Sequence, residues 1–322
     1  MLIVSSINAD PAVSWVHSGN KGAEYKKFDV TAGDDDFWSD EIPGNRVTIE
    51  LINYDPTRTP KLQLAQTLMG GPVAYPQSVW GQNDIWEIAS LHSEISDWKH
   101  IQVAGKSVAR LRFVTDDGVA AYCTAFVVAP ALLLTNDHCV RSDAERKSTL
   151  VDFNYTSSAS ALNPRRLSEV VAHDEARDYS LLRLVGEAPA PALPVTLERL
   201  QKANTPLFII EHPGGDVKSV SVRDCAATDL ELVGVSETLK SDFGHRCDTL
   251  GGSSGSPVFR TSPNIAVVGL HHLGFYEDDP SPVNQAVLLS YVMDDIGKRV
   301  PVAYAEIVAA QGVVGGFRPT AP

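Results

Sequence analysis

Apolar positions along the chain recur in short runs rather than in helical stripes. In "RVTIELI" the residues Val47, Ile49 and Leu51 alternate with polar ones directly after Pro43-Gly44-Asn45, the pattern of a half-buried strand behind a turn. "AYCTAFVV" and "ALLLT" are continuous apolar runs joined at Ala129-Pro130. "DYSLLRL", "TPLFIIEHPGG", "KSVSVRD" and "NIAVVGLHHLG" repeat the theme, each bounded by Pro, Gly, Asn or Asp. Helical spacing is confined to "YVMDDIGKRVPVAY" and the shorter "LQLAQTLM". Many short strands between turns predict an all-β sandwich or barrel.

The pattern changes near residue 105. Before it lie acidic clusters (Asp34-Asp35-Asp36, Asp40-Glu41) and no cysteine; after it the strands are denser and all four cysteines appear. This predicts a β-rich accessory or pro-segment over 1–104, a second domain over 105–305 and a tail over 306–322. A length of 322 residues suits one large domain or two.

Charge and cysteines narrow the classes. A net charge of -13 argues against a nucleic-acid partner, since phosphate binding wants a basic face. No apolar run reaches the length of a membrane span. At the N-terminus the apolar run stops at Val4 and no basic residue precedes Lys21, which is not the pattern of a secretory signal. Cys123, Cys139, Cys225 and Cys247 include no Cys-x-x-Cys pair, so no metal site and no cofactor is expected. Their even number suits two disulfides and an oxidising compartment. A secreted or periplasmic location is therefore favoured over a cytoplasmic one.

One stretch raises the question of chemistry: "CDTLGGSSGSPVF", residues 247–259. Gly and Ser make linkers, but a linker does not ordinarily run straight into a Pro-Val-Phe strand start. A serine hydroxyl needs a base, and the base an orienting acid. His138 in "LLLTNDHCV" stands where an apolar strand gives way to a polar turn. Asp178 in "ARDYSLLRL" precedes an apolar run that can bury its carboxylate; Asp174 is a weaker competitor.

The order His138, Asp178, Ser254, with Gly-Ser-Ser-Gly-Ser-Pro around the serine, resembles the trypsin/chymotrypsin-fold serine endopeptidases. It is most similar to their bacterial glutamyl and lysyl endopeptidase branch. "TNDHC", the strand from Cys123 and "DYSLL" match that family's other motifs, over about residues 107–300. The resemblance implies two packed six-stranded β-barrels, with a triad of His138, Asp178 and Ser254 in the cleft between them. It implies an oxyanion hole from the Gly252 and Ser254 N–H groups, bridges Cys123–Cys139 and Cys225–Cys247, and a protein or peptide substrate. The 1–104 segment would pack on this domain without supplying a triad member.

For substrate preference the resemblance pulls two ways. Asp248, six residues before Ser254, matches the carboxylate at the base of a pocket for Arg or Lys. Thr249 and His271 match positions that hold an acidic side chain in glutamyl endopeptidases. Arg or Lys is preferred here, since a negative floor repels Glu and His271 is mostly neutral at pH 7. Alternatives of another class are a decayed protease fold used as a binding module, or an esterase on the same machinery. His212, before Pro-Gly-Gly, is expected to be a turn residue.

Overall fold

The computed structural model describes residues 78–92, 95, 97–236, 238–275 and 283–311 in full, and strands before residue 78 by their backbone pairing. The chain divides into two compact units, Met1–Pro72 and Val73–Pro322.

In the first unit, β1 (Leu2–Ser6), β2 (Val13–Ser18), β3 (Lys26–Asp29), β4 (Phe37–Trp38), β5 (Val47–Ile52) and β6 (Leu62–Thr67) form two antiparallel sheets. Their orders are β4-β1-β6 and β3-β2-β5. The alternating run at Val47 is strand β5, paired to β2 from Val47↔Ser18 to Ile52↔Val13. The helix expected in "LQLAQTLM" is instead strand β6. Leu62 and Leu64 are two apart, which suits period two as well as a helical face, and the backbone ladder to β1 decides it.

In the second unit, β7 (Gln77–Ser78), β8 (Ile85–Glu87), β9 (Val108–Val114), β10 (Ala120–Ala129) and β11 (Leu132–Thr135) come first. Then follow β12 (Leu150–Asp152), β13 (Leu167–Asp174), β14 (Tyr179–Leu184), β15 (Leu207–Glu211) and β16 (Ser219–Ser221). The last strands are β17 (Asp242–His245), β18 (Thr249–Leu250), β19 (Pro257–Arg260), β20 (Ala266–Leu273) and β21 (Asn284–Leu288). Helices α1 (Trp98–Gly105), α2 (Asp143–Ser148), α3 (Leu289–Arg299) and α4 (Pro301–Gln311) complete it.

Two antiparallel sheets stand where the motifs imply two barrels. The first has six strands, β12-β9-β10-β11-β14-β13. The second has seven, β17-β21-β20-β19-β15-β16-β8, because β8 adds to the β16 edge through Val220↔Trp86. The continuous apolar runs now have a cause: the first sheet is buried on both faces. Phe126, Val128, Leu132 and Leu134 enter one core, while Ala125, Val127 and Leu133 enter another. The first of these cores also receives Phe208 and Val220 from the second sheet, and Val292, Ile296 and Ile307 from α3 and α4. Cys123–Cys139 and Cys225–Cys247 are disulfide-bonded, closing loops of 16 and 22 residues. On the chain-entropy model each is worth roughly 3 kcal/mol.

The composition boundary near 105 and the division of contacts at 72/73 are thus about thirty residues apart. Residues 85–105 supply an edge strand and the buried Ile88, Leu91, Ile95 and Ile101. Removing one such aliphatic side chain costs about 2–5 kcal/mol, against a whole-domain stability of about 5–15 kcal/mol. A chain beginning at Val73 should therefore show a cooperative melt, and one beginning at residue 105 should not. Calorimetry of the two truncations checks this; equal melts would refute it.

Candidate active site

The turn after β11 carries His138, and its position is fixed by backbone bonds and a disulfide. The Asn136 side chain donates to the Asp178 carbonyl at 2.8 Å, and the Ser180 hydroxyl to the Val140 carbonyl at 2.6 Å, so the turn is laced to the start of β14. Asp178 itself adopts φ 47°, a left-handed backbone that turns its side chain back toward the histidine. Its Oδ1 accepts the His138 backbone N–H at 3.0 Å, and its Oδ2 meets His138 Nδ1 at 2.8 Å. Asp178 is buried while the His138 side chain is 46% exposed. The pair therefore has one anchored end and one open end.

The loop that carries Ser254 reaches this turn through Thr124, next to Cys123. The Thr124 N–H donates to the Ser254 carbonyl at 2.7 Å, and its hydroxyl to the Gly252 carbonyl at 2.9 Å. Cys123 is bonded to Cys139, the neighbour of His138. Gly252 has φ 97°, and a Cβ there would press on the His212 carbonyl and the Gly215 N–H. Gly255 has φ 87°, where a side chain would collide with the Thr124 carbonyl. Both positions need glycine. Among the described residues, the N–H groups of Gly252 and Ser254 are donated to no protein acceptor. The partly buried Ser254 thus lies beside two free backbone donors.

Sequence reasoning missed what stands behind Asp178. His272 on β20 is buried, with Nδ1 3.2 Å from Asp178 Oδ2 and Nε2 2.6 Å from Asp242 Oδ2. Burial alone would lower its pKa, but the two carboxylates push it up to about 9. Burial would likewise raise Asp178, yet hydrogen bonds from His138 and His272 hold it well below the usual carboxylate range. Asp178 is therefore flanked by histidines on two sides, of which His272 is charged at neutral pH.

The residues tied to substrate preference have partners of their own. Asp248 is buried, and its two oxygens accept the N–H groups of Trp80 and Asp84, each at 2.7 Å. Burial raises its pKa despite those bonds. Thr249 pairs in register with Ser78, so the segment from 77 to 84 runs along the Asp248–Leu250 edge. His271 Nδ1 faces His245 Nε2 at 3.2 Å. Burial first, then His245 and His272, hold His271 well below the ordinary histidine value. His212 does stand in the turn that follows β15, before Pro-Gly-Gly, but it is fully buried, with Nδ1 2.9 Å from the Asp216 carbonyl. Near it Glu211 is fully buried, with the Ser253 hydroxyl close by but no well-formed hydrogen bond to either carboxyl oxygen among the described residues.

Among the described residues, Cys123, His138 and Cys139 are a group close enough to share a metal ion, but both sulfurs are spent in a disulfide.

Residues 92–276 match the family model described as the lysyl endopeptidase C-terminal domain. The chain is 26% identical over 197 residues to the secreted RxLR effector protein 73 of Plasmopara viticola, covering 53% of this chain and 46% of that one. It is 26% identical over 261 residues to the uncharacterized protein y4fB of Sinorhizobium fredii, covering 74% of this chain and 37% of that one. The chain thus spans less than half the length of either relative. Among solved structures, the active form of the Rv3671c protease from M. tuberculosis aligns at 20% identity with a TM-score of 0.46, over 62% of this chain and 82% of that one.

Proposed function

The chain belongs to the lysyl endopeptidase C-terminal domain family, and from that premise we propose that it is a serine endopeptidase. The observation that carries this reading is the His138–Asp178 pair, tied through Thr124 and the Cys123–Cys139 bridge to a serine loop with two N–H donors unspent among the described residues. Ser254 Oγ attacks the scissile carbonyl while His138 takes its proton. Asp178 holds the imidazole in the productive tautomer and stabilises the imidazolium. The Gly252 and Ser254 N–H groups receive the developing oxyanion, each worth roughly 10²–10³ in rate. His138 then returns the proton to the leaving amine, and water attacks the acyl-enzyme by the same route. Residues 1–72 supply none of these groups.

Replacing Ser254 by Ala should abolish peptide hydrolysis and labelling by a fluorophosphonate while leaving the melting curve unchanged. The neighbouring Ser253→Ala should retain both. Activity lost in the second variant and kept in the first would overturn the assignment.

We further propose that the residue before the scissile bond is Lys or Arg. Asp248 offers a carboxylate whose oxygens each keep an acceptor site after binding Trp80 and Asp84. The neutral His271 brings no positive charge to offset a substrate Glu. The description of the matching family supports the same side. A pair of peptides differing only in Lys or Glu at that site should be cleaved at least tenfold faster when Lys is present. Faster cleavage of the Glu peptide reverses the preference. Two disulfides and the secreted relative support an oxidising, extracytoplasmic compartment.

A further inference from the structure

Lined by none of the three triad residues, a cavity of about 420 Å³ opens between α1, the turn after β12 and the Pro189-Ala190 loop. Its walls are partly apolar, including Ile88, Phe153 and Pro189. Its charged lining is of one sign: Lys218 and Lys106, with no acidic residue among the described residues that line it. The protein as a whole has 40 acidic and 27 basic residues, so this wall runs against the general balance.

Lys218 is the unusual group. It is 1% exposed, and its Nζ donates to the carbonyls of Gly105 and Phe153, both at 2.6 Å. An ammonium has three donors, so one is left. Buried charges are ordinarily paired with an opposite charge, and here the two partners are neutral. The polar amides nearby are already spent. Gln102 donates to the Ile88 and Leu91 carbonyls, and Asn154 to the Ala161 carbonyl.

We propose that this cavity binds a small organic monocarboxylate with an apolar body, its carboxylate received by Lys218 and its approach favoured by the exposed Lys106. One buried ammonium matches one carboxylate; a phosphate dianion would need several more donors. The volume lies within the range of ordinary small-molecule pockets.

Burial also lowers the Lys218 pKa to about 7. The groups facing it are the Gly105 and Phe153 carbonyls, Lys106, and His212, which burial keeps neutral. Arg110, the next cation, is paired with Asp152 at 3.0 Å. Among the described residues no carboxylate opposes the amine, so a bound anion would recharge it and draw a proton from solution above neutral pH.

Isothermal titration of the full chain with octanoate and with octanol at pH 8, in two buffers of different ionisation enthalpy, tests this. Octanoate should bind one per chain, at least tenfold tighter than octanol, with a fraction of a proton taken up. Lys106→Gln should weaken octanoate a few-fold, and Lys218→Met should reduce it to the octanol level. The proton uptake is read on the unmutated protein, so the test does not depend on Lys218→Met folding. Absence of octanoate binding, equal affinity for octanol, or no proton uptake would each overturn the proposal. None of these readouts requires peptidase activity.

Discussion

Replacing Asp178 by Asn should lower kcat/KM for a cleaved peptide by roughly 10⁴-fold, the effect of the same change in the general triad template. Asn keeps the size and the oxygen that accepts the His138 backbone N–H. It removes the charge that, in the proposed mechanism, fixes the Nδ1–H tautomer of His138 and stabilises the imidazolium. The same substitution should reach His272, whose pKa of about 9 depends on Asp178 as well as Asp242. A histidine raised in the folded state stabilises fully below its ordinary value near 6.5. That contribution is lost as pH rises through about 9. The unmutated protein should therefore lose stability between about pH 6.5 and 9 through this group, and Asp178→Asn should show a smaller loss over that window. Kinetics with urea melts at pH 6 and 9 measure both effects. An Asn variant retaining activity within tenfold of the original would remove Asp178 from the mechanism.

The three proposed catalytic residues are legible because each stands in a turn or loop next to a strand, inside a local motif where chain neighbours carry the signal. His272 was not visible in that way. Its partners Asp178 and Asp242 come from β14's start and β17, brought together only by pairing across two sheets, and nothing in "GLHHLG" says which histidine turns where. The strap from 77 to 87 escaped because its strands are two and three residues long, too short for any period to show. Two features did leave a readable sign. Ser142 and Glu145 form a capping box at the start of α2, a serine followed three residues on by a glutamate. Glu211 closes the apolar run "LFIIE", in phase with Leu207 and Ile209, which enter the core of the second sheet. A charged residue in phase with buried ones is a candidate for burial, and the alternation alone gives its direction.

That burial leads to the second large effect. Burial pushes the Glu211 carboxyl up to about 8 and the nearby charge of Asp248 adds to this; the Ser253 hydroxyl offsets only part. The group is therefore protonated at pH 7 in the fold and ionised in the unfolded chain. A carboxyl raised in this way binds more protons folded than unfolded, so stability is full below about 4.5 and falls as pH rises to about 8. The slope is about 1.4 kcal/mol per pH unit, or roughly 4 kcal/mol between pH 5 and 8. Gln copies the shape of the neutral acid and cannot ionise. Glu211→Gln should thus match the unmutated protein at pH 5 and exceed it by roughly 4 kcal/mol at pH 8, once other titrations cancel in the difference. Urea denaturation of both proteins at the two pH values reads this directly. If the two remain equally stable at pH 8, Glu211 is ionised in the fold and has found a partner that burial alone does not supply. The difference matters for the site as well. Glu211 lies beside Ser253, one residue from the proposed nucleophile Ser254, so a charge appearing there is a charge under the serine loop.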